Sequence, residues 1–380
     1  MQSSTDFLRQ LPDSAAHFAR GEGFWRRLHI DPIMLLLLLM LTFFGLLVLY
    51  SGSGQSTGMV KRQVAFYIIA YGAMFTVAQI DMKILARWAP WFYGIGIILL
   101  ILVYVIGVQA KGAQRWISLG FIRFQPSEAL KIAVPVAVAA YFSSRMLPPK
   151  FKHVLASLMI IALPAVLILK QPDLGTSILI SASGLIVLFL AGLRWRYIFG
   201  SALLLAASAW PIWNFVLQGY QKRRILTLFN PEADRFGDGW NTIQAKISIG
   251  SGGMEGKGWL NGSQSQLDFL PESHTDFIIA VLAEEFGFVG VLALLGLYLA
   301  IIMRGLFIAW NAKNSFNRLL AGSLILTFFV YVFVNIAMVS GLLPVVGVPL
   351  PLVSLGGTSL VTLMLAFGIL MAIATDSSKT

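Results

Sequence analysis

Ten apolar runs alternate with short polar joints along this chain, at roughly 31–50, 63–80, 90–108, 127–146, 153–169, 174–193, 197–217, 276–303, 318–340 and 354–375. A helix rises 1.5 Å per residue, so about 20 apolar residues cross ~30 Å of hydrocarbon, and each run is near that length. The pattern predicts an all-α, polytopic membrane protein, a bundle of about ten transmembrane helices. One long polar interval, 218–275, parts the seventh run from the eighth and predicts a large loop. Inside it "NTIQAKISIGSGG" reads as a short amphipathic helix closed by glycines. The neighbouring "GSGGMEGKG" is no phosphate loop, because the GxxxxGK[ST] spacing and the preceding strand are missing. Residues 1–30 read as a polar tail, 31–375 as one membrane domain and 376–380 as a second short tail. About thirty residues precede the first run and "YSGSGQSTG" follows it, which predicts an uncleaved first span rather than a secretory leader.

Composition agrees with the pattern. The chain of 380 residues is 57% hydrophobic and 12% charged, about half the charge of a soluble domain. It has no cysteine, which excludes disulfides, thiolate chemistry and cysteine-held metals. His17, His29, His153 and His274 are far apart and show no metal-ligand spacing. The net charge of +11 would suit nucleic acid, yet the basic residues sit in short clusters between apolar runs. That arrangement orients helices against an anionic membrane leaflet, so membrane lipids are the expected partners and nucleic acid is not.

Lysine and arginine also set the sidedness. With a cytoplasmic N-terminus, the inner joints and tails hold fifteen of them, Arg9, Arg20, Arg26, Arg27, Lys83, Arg87, Arg145, Lys150, Lys152, Arg194, Arg196, Arg304, Lys313, Arg318 and Lys379. The short outer joints hold six, Lys61, Arg62, Lys111, Arg115, Arg123 and Lys170. The bias predicts both termini in the cytoplasm. "KGAQRW", "RFQPSEALK", "KQPDLGT", the long loop ending in "HTD" and "LPVVGVPLPLVSLGGTS" then all fall on the outer face, where the chemistry is expected.

Several of these segments carry candidate chemistry. Arg115, Trp116, Arg123, Gln125, Glu128 and Lys131 fall within about twenty residues. Gln125-Pro126-Ser127-Glu128 reads as a helix entrance, with proline in the first turn and an acid at the positive end of the dipole. Glu128 and Lys131, spaced i,i+3, share a face, either as a plain ion pair or as the polar wall of a cavity. Asp276 stands where the long loop becomes a helix, at the water boundary. It serves there either as a helix-terminal charge or as a partly desolvated base. Glu284 and Glu285 lie deeper, with side chains about 100° apart, and read as scaffold. The uncharged "SGLLPVVGVPLPLVSLGGTS" is irregular backbone at membrane depth, which needs protein or a cavity around it. Its amides and the hydroxyls of Ser354, Thr358 and Ser359 suit sugar or phosphate oxygens, or a helix cap. Residues alone therefore leave two classes open, an enzyme acting on an anionic lipid-linked substrate and a lipid or solute transporter.

The segments "GAQRW", "RFQPSE…K", "KQPDLGT", "FLPESHTDFIIAVLAEEFGFVG" and "LPVVGVPLPLVSLGGTS", in this order, resemble the SEDS family (shape, elongation, division, sporulation) over nearly the whole chain. The short tails and "SQSQLDFLPE" are most similar to its RodA-type branch. The resemblance implies a peptidoglycan glycosyltransferase of the bacterial inner membrane that polymerises lipid II at the periplasmic face during cell elongation. It implies a class B penicillin-binding protein and other elongation-complex proteins as partners, with a lipid II flippase as the alternative activity. It places the essential acid on Asp276 and the polar cavity on Glu128 and Lys131 with Arg115 nearby. The expected substrate-binding set is Arg115, Trp116, Arg123, Gln125, Glu128, Lys131, Asp173, His274, Ser354, Gly356, Gly357 and Thr358. No cofactor is demanded, and a divalent cation such as magnesium or manganese is left open. The last loop departs from the family at Leu355, where a tyrosine is usual.

Overall fold

The computed structural model describes residues 24–377 except 111–112, 119–122, 218, 235–237, 267–269 and 271. Helices lie over all ten apolar runs. They are α1 (Pro32–Gly52), α2 (Thr57–Ala78), α3 (Met82–Ile106), α4 (Pro126–Ser143), α5 (Phe151–Lys170), α6 (Leu174–Leu190) and α7 (Trp195–Pro211, prolonged by a π-helical turn Ile212–Val216). After α8 (Gly219–Phe229) and α9 (Asp238–Gly252) in the long loop come α10 (Ile278–Trp310), α11 (Ser315–Val339) and α12 (Thr358–Ser377). Among the described residues, seven helices are long and apolar enough to cross a membrane: α1, α3, α5, α7, α10, α11 and α12. The apolar α6 has only 17 residues, and α2 and α4 carry Lys61 and Arg62, and Glu128 and Lys131, within the helix.

Three acids of this chain start helices. The carboxylate of Asp31 accepts from Met34 N, Asp81 from Lys83 N and Asp173 from Thr176 N, each satisfying a donor that the first turn leaves open. Proline occupies the first turn of α1 and α4, where its missing N–H costs nothing. Between α3 and α4 the strands β1 (Val108–Ala110), β2 (Ala113–Ser118) and β3 (Arg123–Phe124) form an antiparallel meander. Outward faces are strongly apolar, with Ile68, Val105, Phe199 and Leu203 at least two-thirds exposed, a surface made for lipid.

The apolar run 276–303 predicts one unbroken helix, and here the structure differs. α10 starts at Ile278 and breaks at Gly287, whose φ of 64° and ψ of −162° lie outside helical space. The chain after α9 enters the gap. Lys257 N and Gly258 N donate to Glu284 O and Glu285 O, and Phe288 N and Val289 N donate to Gly253 O and Met254 O. "GSGGMEGKG" is therefore the plug of a broken helix. Two of its glycines are required by contact, since a Cβ at Gly256 would lie 2.2 Å from Glu285 O and one at Gly252 1.9 Å from Ala283 O. The helix expected over "NTIQAKISIGSGG" is present as α9, and Gly253 ends it at φ +58.

Candidate functional site

The last loop, from Ser340 to Gly357, is the floor of the site. Its carbonyls are tied from several sides, with Tyr298 Oη donating to Pro351 O at 2.6 Å, Tyr67 Oη to Leu352 O at 2.7 Å and Gln63 Nε2 to Ser354 O at 3.2 Å. Gly356 N donates to Gln63 Oε1 at 3.3 Å. Ser354 is buried, accepting from Leu350 N at 2.9 Å and donating to Thr275 O at 2.5 Å. Irregular backbone survives at this depth because protein groups replace the water it lacks.

Asp276 lies against this floor. It is half-buried in the turn 272–277, one residue ahead of the α10 N-cap, which is Phe277. Besides the Ser354–Thr275 bond, two contacts fix the turn to the loop. Leu355 N donates to His274 O at 2.9 Å. The wholly buried Asn335 of α11 uses its amide to donate to Asp276 O at 2.9 Å and to Val348 O at 2.7 Å. Gly347, at φ +73, closes the approach, and a Cβ there would sit 3.7 Å from Asp276 Oδ2. Leu355 thus serves through its backbone, with its side chain packed on the core.

A second polar group faces the floor from the other side. Lys131 Nζ lies 2.7 Å from Glu128 Oε1, both side chains being over nine-tenths buried, and 5.1 Å from the Tyr331 ring centroid. Glu128 Oε2 is buried without a hydrogen-bond partner. Asp173, besides capping α6, accepts from Gln125 Nε2 at 3.2 Å and pairs with Arg115 Nη1 at 3.5 Å. Arg115 also donates to the carbonyls of Gln171 and Pro172. Gly175 brings α6 onto the floor, since a Cβ there would lie 2.7 Å from Val346 O. Both cations of this wall are therefore already matched with a carboxylate.

The structure thus gathers Arg115, Gln125, Glu128, Lys131 and Asp173 into one wall, and His274, Asp276, Ser354 and Gly356 around the floor. α11 bridges the two, because Tyr331 touches Lys131 and Asn335, four residues on and hence on the same face, holds Asp276. A small cavity beside Tyr331 is lined by Leu350, Ser354, Gly356 and Ser359. Gly357 packs on the Phe66 ring and Thr358 opens α12. Trp116 is half-buried on β2 opposite Val108. Arg123 pairs with Ser118 through the backbone, and its side chain lies outside the described residues. Sequence reasoning passed over Asn335, Tyr331 and Gln63. A lone asparagine in "FVYVFVNIAMV" and a glutamine in an apolar helix were the available signal, since buried polar groups at membrane depth need partners.

Glu284 and Glu285 take separate partners, as their divergent directions imply. Glu284 meets Lys257, Ser263, Ser248 and the Gln264 amide, whereas Glu285 accepts from Ser51. No group of three His, Cys, Asp or Glu side chains among the described residues has the geometry of a metal site.

Comparison with known proteins adds the following. The family model for the cell cycle protein family FTSW_RODA_SPOVE matches residues 32–379. Peptidoglycan glycosyltransferase MrdB of Escherichia coli K12 is 54% identical over 353 residues, 93% of this chain and 95% of that protein. A probable peptidoglycan glycosyltransferase FtsW of Trichlorobacter lovleyi is 36% identical over 92% of this chain and 94% of its own length. Among solved structures, a chain from work on the structural coordination of polymerization and crosslinking by a peptidoglycan synthase complex superposes with a TM-score of 0.80 at 28% identity, over 92% of this chain and 99% of its own. The rod shape determining protein RodA of Thermus thermophilus gives 0.70 at 26% identity, over 92% and 98%.

Proposed function

This chain belongs to the cell cycle protein family FTSW_RODA_SPOVE and is a peptidoglycan glycosyltransferase, and from that premise we propose how its site performs the reaction. It polymerises lipid II into glycan strands at the periplasmic face of the inner membrane, as one membrane domain of ten spans with both termini in the cytoplasm. Asp276 is the general base. Its carboxylate takes the proton of the 4-hydroxyl on the acceptor's N-acetylglucosamine, and that oxygen attacks the anomeric carbon of the donor's N-acetylmuramic acid. Undecaprenyl pyrophosphate departs. A single displacement inverts the α-linked donor to a β-linkage with one protein carboxylate, unlike hydrolysis by a carboxylate pair, and a diphosphate leaves without a proton from an acid.

The observation that carries this reading is the position of Asp276, half-buried and set on a floor tied to three helices. A fixed, partly desolvated carboxylate is what proton abstraction requires. The wall, nearly neutral as a whole, suits the sugar and peptide part of the head group, with Glu128 Oε2 free to accept from a hydroxyl. The class B penicillin-binding protein expected as partner fits the complex in which the structural relative was solved.

Labelled lipid II in detergent, given to the purified protein with its penicillin-binding partner, tests the reading. Polymer is the expected product. Translocation across a bilayer with no polymer in detergent overturns it in favour of a flippase. Asn335→Leu tests the floor, because it removes both amide bonds and leaves two buried carbonyls unmatched. Unmatched buried polar groups cost roughly 1–3 kcal/mol each, and displacing the base by about 1 Å costs about 100-fold. The expected result is a drop of about 10- to 100-fold in turnover with lipid II binding retained, read by single-turnover polymerisation.

A further inference from the structure

Between Glu128 and Glu232 the chain holds a single acid, Asp173, and that one belongs to the wall. The opposite end of the same helices carries five cations. Arg145 follows α4, Lys150 and Lys152 stand at the start of α5, and Arg194 and Arg196 stand at the start of α7. The last four form two triplets of cation, aromatic and cation, Lys150-Phe151-Lys152 and Arg194-Trp195-Arg196. The fold sets the triplets side by side. The rings of Phe151 and Tyr197 lie 5.8 Å apart. A Cβ on Gly192, just before the second triplet, would meet Pro148, just before the first, at 3.5 Å. His153 lies within electrostatic reach of Arg145, Lys150 and Lys152.

These charges lack counter-charges. Lys150, Lys152, Arg194 and Arg196 are exposed, and none of the five cations forms an ion pair among the described residues. The first turns of α5 and α7 hold no acid. Arg145 and Arg196 have neutral partners only. Arg145 donates to Tyr141 O and lies 3.6 Å from the Tyr141 ring centroid, and Arg196 donates to Tyr197 Oη at 3.1 Å. At the same end of the bundle Arg304, by contrast, pairs with Asp31. The surface around the triplets is apolar, with Phe151 61% and Trp195 66% exposed, and none of the described side chains from Trp195 to Pro211 is buried. Cations bordered by exposed aromatics mark the layer where lipid headgroups meet acyl chains.

We propose that the paired triplets hold one anionic phospholipid with two headgroup phosphates, of the diphosphatidylglycerol class, at the cytoplasmic face of the proposed topology. Lys150 and Lys152 take one phosphate, Arg194 and Arg196 the other, and Arg145 adds its charge. Guanidinium forks grip phosphate oxygens two at a time, while ammonium groups act as point charges. Two phosphates joined through one short glycerol suit two cation pairs carried by adjoining helices, whereas a single-phosphate lipid satisfies one pair. Basic pockets between helices on this side recognise such headgroups. The general attraction of inner cations to an anionic leaflet has no preferred position, and the triplets supply one. The lipid thereby fastens α7, which buries none of its described side chains, to α5.

The probe is tetraoleoyl cardiolipin, titrated into the purified full chain in detergent and counted by native mass spectrometry, with dioleoyl phosphatidylglycerol as the single-phosphate comparison. One cardiolipin is expected to bind about tenfold or more tightly than phosphatidylglycerol, and its affinity to fall about tenfold or more in Lys150→Gln/Lys152→Gln/Arg194→Gln/Arg196→Gln. Arg194→Gln/Arg196→Gln, which changes α7 alone, is expected to bring cardiolipin down to the affinity of phosphatidylglycerol, and it decides the matter where the fourfold variant folds poorly. The exchange Lys150→Arg/Lys152→Arg/Arg194→Lys/Arg196→Lys is expected to keep the site. Lys83→Gln/Arg87→Gln removes two exposed cations elsewhere on the same side and is expected to leave binding unchanged. Cardiolipin is also expected to raise the unfolding temperature of the wild type and not of the fourfold glutamine variant, since a ligand of the folded state stabilises it. Equal losses in the triplet and Lys83/Arg87 variants overturn the site, because the attraction then belongs to the whole face. Equal affinity for the two lipids, or cardiolipin retained by the fourfold glutamine variant, overturns it as well. A glutamate decapeptide that binds the triplets while cardiolipin does not overturns the lipid in favour of an acidic protein segment.

Discussion

Asp276→Asn is expected to lower glycan polymerisation by about 100- to 10,000-fold, the contribution typical of a positioned general base. The protein itself should persist. Asparagine nearly matches aspartate in shape, and the N-cap of α10 is Phe277, so the helix start does not depend on the carboxylate. The contacts that fix the turn use the backbone, Asn335 Nδ2 on Asp276 O and Leu355 N on His274 O, and both are indifferent to the substitution. Thermal unfolding close to wild type, with lipid II still bound and no polymer made, is the combined signature. Asp276→Glu separates charge from position. It keeps the carboxylate but lengthens it by one methylene toward Gly347, whose Cβ position lies 3.7 Å from Asp276 Oδ2. A loss nearer 100-fold is expected, since about 1 Å of misplacement costs that much. Polymer made by the asparagine variant at the wild-type rate would place the base elsewhere.

Much of this molecule could be read from its sequence because a bilayer narrows the choices. Apolar runs of fixed length must become helices there, and helices lie over all ten. The helix entrance at Pro126, the Glu128–Lys131 pair and α9 followed from local spacing, whose partners lie within four residues. What escaped depended on segments distant in the chain. The break at Gly287 is invisible in "FGFVG", because its cause is the glycine loop some thirty residues earlier that enters the gap. Arg115 looked like a free cation until the fold set Asp173 beside it. Asn335 passes for one polar residue in an apolar helix, and only the return of the last loop shows that it holds both Asp276 and Val348.

The plug of the broken helix carries the largest expected effect on stability, and its sign pattern is unequal between the two partners. Glu284 has no exposed side-chain surface, while Lys257, 2.7 Å away, keeps 31% of its own. Lys257→Ala therefore strands a buried carboxylate that retains only neutral donors, from Ser263, Ser248 and the Gln264 amide. Breaking a buried pair in this way costs about 3–5 kcal/mol. Glu284→Gln removes the charge that must be buried and still offers an oxygen to Ser263 and Gln264, and Lys257 can turn to water. About 1–2 kcal/mol is expected for it, on the scale of a lost charge-assisted hydrogen bond. The double variant Lys257→Ala/Glu284→Gln should consequently be more stable than Lys257→Ala alone, a positive coupling that a plain loss of packing would not produce. Thermal unfolding in detergent for the four proteins of this cycle measures it. Because the plug holds the segment from Ile278 to Phe286 that begins just after Asp276, Lys257→Ala should also lower polymerisation, and the double variant should recover part of it. Equal destabilisation by the two single variants, with no recovery in the double, would show that the pair is not what keeps the broken helix closed.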